Sequence, residues 1–188
     1  MIVALTGFMM CGKSTYGRVA AEALCVPFSD LDDHIIEGFA PGEIIREMGE
    51  DAFREKETEA LRRFLEEDNE TIGTCAGKAS CTGTDSARVT AILALGGGTV
   101  LREQNRMLIK KYCRVIWLKA TLEDSVFNPE WAHLTASRPL LAGGDRERIT
   151  RLYSSRIPIY ESVADFTIDT SSKSPELVLD ELIRAIGL

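Results

Sequence analysis

The sequence predicts an α/β fold on a five-stranded parallel sheet, and three observations point to it. Short apolar runs rich in β-branched residues alternate with longer amphipathic segments, the pattern left by parallel strands joined through crossover helices. The first apolar run leads straight into a glycine-rich turn and then a helix-forming stretch, as expected where a strand hands over to a phosphate-binding loop. The 188 residues, 45% of them hydrophobic, suit one domain over 1–188 that buries roughly 70% of its unfolded surface.

Taken in order, strands are expected at 2–6, 26–29, 91–95, 114–118 and 166–169, each a short β-branched or aliphatic run. Helices are expected at 14–24, 43–48, 52–66, 102–111, 146–153 and 175–186, where apolar residues recur at helical spacing. Ser174 caps the last of these, with Pro175 in its first turn. Residues 67–90 are polar, rich in Gly, Ser and Thr, and longer than an ordinary connector, so they form an insertion. Residues 121–144 mix prolines, glycines and aromatics and have the composition of a mobile lid.

Lys and Arg number 22 against 29 Asp and Glu, a net charge of −7. That balance opposes unspecific binding to nucleic acid or anionic lipid, so an anionic substrate needs a local device to hold it. Five cysteines at irregular spacing fit a reducing cytoplasm better than a disulfide framework. The opening apolar run has no basic lead-in and is too short for a signal peptide. No apolar stretch is long enough to span a membrane.

That local device is readable after the first strand. Gly7, Gly12, Lys13 and Ser14 in GFMMCGKST fill the pattern GxxxxGK[ST]. Glycines let consecutive backbone N–H groups wrap one phosphate at a helix N-terminus, Lys13 supplies charge to the β- and γ-phosphates, and the Ser14 hydroxyl is placed for Mg²⁺. A GTPase would need NKxD and DxxG, and neither occurs.

Asp30 and Asp32, at the C-terminal end of the second strand, share a face if the chain stays extended. One could hold Mg²⁺ through water while the other meets an acceptor hydroxyl as base. Asp33 alternates away, as a solvated residue or helix cap. In DAFREKE, Arg54 and Glu57 lie three apart on one helix face, which also describes a plain surface ion pair. Arg138 in SRPLL and Arg156 in SRIPIY are ambiguous alone, although arginines near a triphosphate site would suit an anionic acceptor. Gly96, Gly97 and Gly98 after the third strand imply close backbone approach or positive φ. His34 and His133 lack a metal-ligand pattern, and Cys75 and Cys81 lack companions for zinc. Cys11, at a helix N-terminus, is a candidate for oxidation or simply a small tolerated residue.

In this order, GFMMCGKST, DLD, FREKE, GGG, SRPLL and SRIPIY resemble the shikimate kinase family over most of the chain outside 67–90 and the lid. The resemblance implies a three-layer α/β/α sandwich of the P-loop NTPase type with a mobile lid. It also implies ATP-dependent phosphorylation of the shikimate 3-hydroxyl on the route to chorismate and the aromatic amino acids. ATP would be co-substrate with Mg²⁺, in a cytoplasmic monomer that binds small molecules and neither nucleic acid nor membrane.

Carried over by position, the P-loop spans 7–15, and Met10, Cys11, Gly12, Lys13, Ser14 and Thr15 would hold ATP together with Arg138 from the lid and Lys173 beside the adenine. The shikimate-binding region would be about 32–66. Asp32 would be the base and bind the acceptor hydroxyls, and Ser14 and Asp30 would serve the metal. Arg54 and Arg156 would clamp the carboxylate, Glu57 would orient Arg54 and bind and orient the substrate, and the Gly97 backbone would contact shikimate. Catalysis would rest on Asp32, Lys13 and Arg138.

The chain departs from the family pattern at Trp131, where family lids commonly carry a second arginine, and in the length of 67–90. Lys119 or Arg102 could replace the missing cation. A gluconate-type kinase, or a non-catalytic nucleotide-binding protein, would share the P-loop without needing the arginine clamp.

Overall fold

The computed structural model describes residues 1–35, 41–66, 89–131 and 145–187. Its strands are β1 (Ile2–Thr6), β2 (Phe28–Asp30), β3 (Ala91–Ala94), β4 (Cys113–Lys119) and β5 (Phe166–Asp169). Its α-helices are α1 (Lys13–Leu24), α2 (Pro41–Met48), α3 (Glu50–Glu66), α4 (Glu103–Tyr112), α5 (Arg146–Val163) and α6 (Pro175–Gly187). Short 3-10 turns occupy Leu31–His34, Thr99–Leu101 and Pro129–Trp131.

All four strand pairings are parallel, in the order β2-β3-β1-β4-β5. Every residue of β1 and β3 is buried, as a sheet covered on both faces requires. Two cores follow from the strand alternation. Ile2, Ala4, Leu93, Val115 and Trp117 pack with α3, α4 and α5 through Phe53, Leu61, Phe64, Ile109 and Val163. Val3, Leu5, Ile92, Ile116 and Leu118 pack with α1 and α6 through Ala20, Ala21, Val178 and Leu182. The result is the expected three-layer sandwich. Among the described residues no helix is long and apolar enough to cross a membrane.

Most boundaries move by one or two residues from the sequence reading, and two of the differences have clear local reasons. β2 begins at Phe28 rather than residue 26 because the preceding residues close α1. Cys25 adopts φ 53°, ψ 42° and donates its N–H to Ala21 and Glu22, while the Val26 N–H returns to the Ala21 carbonyl at 3.0 Å. This is a left-handed C-terminal cap. α5 runs ten residues past Tyr153 and passes through Pro158. A proline normally ends a helix, but Arg156, Tyr160 and Val163 beyond or beside it are buried against the sheet, and that burial outweighs the lost bond.

The connection from β1 to β2 passes over β3, so α1 must lie close on the sheet. Gly17 permits it: a Cβ there would meet Phe28 Cε2 at 2.7 Å and Leu5 Cδ1 at 2.9 Å. Replacing it with valine should lower unfolding free energy by about 1–3 kcal/mol through overpacking, measured as a shifted urea midpoint. An unshifted midpoint would mean that α1 can lift from the sheet without loss.

Candidate functional site

The P-loop follows β1 and has the backbone its glycines predict. Gly7 has φ 147° and Gly12 φ 90°. A Cβ on Gly7 would collide with the Leu118 carbonyl oxygen, and one on Gly12 would lie 2.6 Å from the Tyr16 ring. Gly12 is the N-cap of α1 and offers no side-chain cap, so the first N–H groups of the helix are left for an anion. Lys13 is buried and folded back on the loop. Its Nζ donates to the carbonyls of Gly7 at 3.1 Å and Phe8 at 3.0 Å and lies 3.8 Å from Cys11 Sγ.

β1 and β2 are not neighbours, because β3 lies between them. The first turn of α1 nevertheless reaches across, and Ser14 Oγ donates to Asp30 Oδ2 at 2.5 Å. Asp30 and Asp32 do not share an extended strand face. The strand ends at Asp30, whose Oδ1 caps the next 3-10 turn by accepting the Asp32 N–H at 3.2 Å. Both aspartates still line one cleft. Asp33 is exposed on the same turn, and His34 Nε2 pairs with Ser29 Oγ at 2.5 Å.

The cleft has a volume of about 580 Å³. It runs from the P-loop residues Met10–Thr15 past Asp30, Asp32, Gly96 and Gly97 to Lys173 and Pro175. Among the described residues, no cluster of three or more His, Cys, Asp or Glu side chains could hold a metal. A hydroxyl with one carboxylate, Ser14 with Asp30, suits Mg²⁺, which keeps several waters and takes much of its shell from substrate phosphates.

The acceptor-side residues meet at Gly96, Gly97 and Gly98. None of these glycines has positive φ, so the part played by Gly96 and Gly98 is close approach. A Cβ on Gly98 would lie 2.5 Å from Arg54 Cζ. On Gly96 it would lie 2.6 Å from Glu57 Oε1 and 3.2 Å from Asp32 Oδ1, and on Gly97 3.4 Å from the Met9 nitrogen in the P-loop.

Arg54 and Glu57 are not a surface pair. Both are buried, and Arg54 Nη1 donates to Glu57 Oε2 at 2.8 Å. Burial alone would lower the Arg54 pKa, but the carboxylates of Glu57 and Glu50 outweigh it and hold the guanidinium above its ordinary value. From the opposite side, Arg156 Nη1 and the Tyr160 hydroxyl both donate to the Gly97 carbonyl, at 3.3 and 2.5 Å. Arg156 Nε is buried without a protein partner. Burial raises the Tyr160 pKa, so this hydroxyl stays protonated and remains a donor.

The remaining candidates divide. Lys173 lines the cleft, with Nζ 2.7 Å from both carboxylate oxygens of Glu181. Arg102 turns away and donates to the Asp51 carbonyl at 3.2 Å, and Lys119 lies over the Trp117 ring. Arg138, His133, Cys75, Cys81 and most of the expected insertion and lid lie outside the described residues, as does the Trp131 side chain.

Sequence reasoning missed Tyr160 and Thr99. Tyr160 stands four residues after Arg156, on the same helix face, a spacing that could have flagged it. Thr99 donates its hydroxyl to Glu57 Oε1 at 2.6 Å, and only its place directly after the glycines hinted at a role.

A shikimate kinase family model matches residues 9–86 and 82–187. The shikimate kinase of Enterococcus faecalis is 33% identical over 186 residues, covering 98% of this chain and 97% of that protein. The shikimate kinase of Geobacter sulfurreducens is 36% identical over 183 residues, covering 96% and 87%. A solved shikimate kinase from Acinetobacter baumannii in complex with shikimate superposes with TM-score 0.77 at 28% identity, covering 98% of this chain and 92% of that one. The Aquifex aeolicus enzyme does so with TM-score 0.71 at 26% identity, covering 99% and 96%. A P-loop cleft flanked by a glycine turn between two buried arginines is thus found in a chain matched along nearly its whole length, and the chain belongs to the shikimate kinase family.

Proposed function

We propose that this protein is a shikimate kinase, transferring the γ-phosphoryl group of ATP to the 3-hydroxyl of shikimate to give shikimate 3-phosphate and ADP. The observation that carries this reading is the meeting of Arg54, Arg156 and Asp32 around Gly96, Gly97 and Gly98, beside the P-loop. Two guanidinium groups there suit an acceptor that carries a carboxylate, which takes the bidentate fork that arginine presents; gluconate is a carboxylate too, so a parallel assay of both acceptors separates the two.

In this reading the acceptor hydroxyl gives its proton to Asp32 as its oxygen bonds to the γ-phosphorus. The bond to the β-phosphate oxygen breaks, and ADP leaves. The backbone N–H groups of Met10, Cys11, Gly12, Lys13, Ser14 and Thr15 cradle the phosphates. Lys13 exchanges the carbonyls of Gly7 and Phe8 for phosphate oxygens. Arg138, from a lid over about 121–144, adds charge on the transferring group, and Lys173 flanks the adenine. Ser14 and Asp30, the latter through water, would hold Mg²⁺, which when bound neutralises charge on the β- and γ-phosphate oxygens. Arg54 and Arg156 hold the shikimate carboxylate, Glu57 orients Arg54, and the Gly97 backbone supports the ring. The acceptor region, about 32–66, and the P-loop, 7–15, form one kinase domain. The free thiols of Cys11, Cys25 and Cys113 suit a reducing cytoplasm, and a monomer is what the family resemblance implies.

A coupled ADP-release assay offering shikimate, gluconate and nucleoside monophosphates in parallel should give turnover with shikimate alone. Turnover with gluconate but not shikimate would overturn the assignment, and ATP binding without turnover would make the protein a non-catalytic nucleotide binder. Asp32→Asn should lower kcat by roughly 10²- to 10⁴-fold with ATP affinity nearly unchanged; near-wild-type activity would remove Asp32 as the base. Arg54→Ala and Arg156→Ala should chiefly raise KM for shikimate, each by about 10-fold or more. An unaltered KM in both would dismiss the clamp.

A further inference from the structure

Glu57 is a carboxylate with 1% of its surface exposed, and a buried charge is tolerated only when both oxygens find donors. Oε2 accepts from Arg54 Nη1 at 2.8 Å, and Oε1 accepts from the Thr99 hydroxyl at 2.6 Å, two charge-assisted bonds. Thr99 is fully buried and has little freedom. Its N–H donates to the Gly96 carbonyl at 3.1 Å, and its carbonyl accepts from Asn105 Nδ2 at 2.9 Å. Asn105 is itself fully buried at the start of α4. The hydroxyl is therefore aimed by the fold, through the 3-10 turn that leaves the glycines.

Its target matters because of what stands next to it. A Cβ on Gly96 would fall 2.6 Å from Glu57 Oε1, 3.0 Å from Thr99 Oγ1 and 3.2 Å from Asp32 Oδ1. Two carboxylates thus face one small volume, and a hydroxyl bond occupies the oxygen of Glu57 on that side.

We infer that Thr99 is a positioning residue for the acceptor half of the site. It saturates Glu57 Oε1, fixes the carboxylate plane so that Arg54 is held by Oε2, and keeps Glu57 from competing with Asp32 for a substrate hydroxyl. The inference rests on the reading of Arg54 as a ligand of the substrate carboxylate.

Thr99→Val keeps the shape and removes the donor, whereas Thr99→Ser keeps the donor. The valine variant should raise KM for shikimate about 10- to 100-fold, the scale of one lost bond to a buried charge, and leave KM for ATP within about twofold of wild type. The serine variant should restore shikimate KM to within about threefold of wild type. If the valine protein fails to fold, Thr99→Ala is read by the same criteria.

A wild-type shikimate KM in the hydroxyl-free variant, an equal rise in both KM values, or a serine variant as impaired as valine would overturn the inference. Arg54→Lys separates the two layers. If it raises shikimate KM and Thr99→Val does not, only the Thr99 assignment falls. If Arg54→Lys itself leaves shikimate KM unchanged, the carboxylate clamp falls and Thr99 falls with it.

Discussion

The site depends on the turn after β3 carrying no side chain at Gly96 and Gly98. Glu57 and Asp32 occupy the space where a Gly96 Cβ would stand, the P-loop backbone approaches that of Gly97, and the Arg54 guanidinium fills that of Gly98. The Gly97 carbonyl, pointing the other way, takes both Arg156 and Tyr160. A methyl group on Gly96 would displace the Glu57 carboxylate and one on Gly98 the Arg54 guanidinium, whereas one on Gly97 would meet only ordinary contacts with the P-loop. The turn is thus a common wall of the P-loop side and the arginine side, which also meet directly where the Arg156 guanidinium lies over the Phe8 ring.

The acidic surface and the anion-binding site are compatible because the cations are placed singly. Arg54 is matched by Glu57 and Glu50, and Lys173 by Glu181. Lys13 is held by carbonyl dipoles. Such pairs carry little net field, so long-range attraction contributes little to binding. What remains is directional: guanidinium N–H groups, a helix N-terminus and an ammonium group already close to where a phosphate would lie. A net charge of −7 then discourages polyanions that cannot reach these donors.

Sequence alone exposed the parts whose chemistry is local. The P-loop is legible because glycine spacing, lysine and the following helix lie within a few residues and fix a backbone shape by themselves. The alternation of strands and helices is legible for the same reason. The Arg54–Glu57 pair is less so, since the same spacing describes a solvated helix face, and it is the glycine turn and Thr99 packed against α3 that bury it. Thr99 and Tyr160 are poorly legible because their partners come from 42 and 63 residues away. Asp30 and Asp32 illustrate a compensating error: the extended-strand geometry is absent, yet the capping bond from Asp30 to the Asp32 N–H leaves both carboxylates in the cleft. Pro158 shows a local rule overridden by burial farther along the same helix.

The position of β3 between β1 and β2 bears on how the molecule assembles. Until β3 docks, the β1–α1–β2 unit has no sheet of its own, because its two strands are separated by a gap one strand wide, roughly 10 Å from axis to axis. Pairing of both strands with β3 brings them into one sheet and sets the glycine turn beside the P-loop, so the cleft depends on contacts between residues far apart in the chain. The entropy of closing the intervening chain grows only logarithmically, about 0.6 kcal/mol for each doubling of a flexible loop. A length change in a surface loop of this connection therefore costs little, whereas the space at Gly96 and Gly98 is already taken by Glu57 and Arg54.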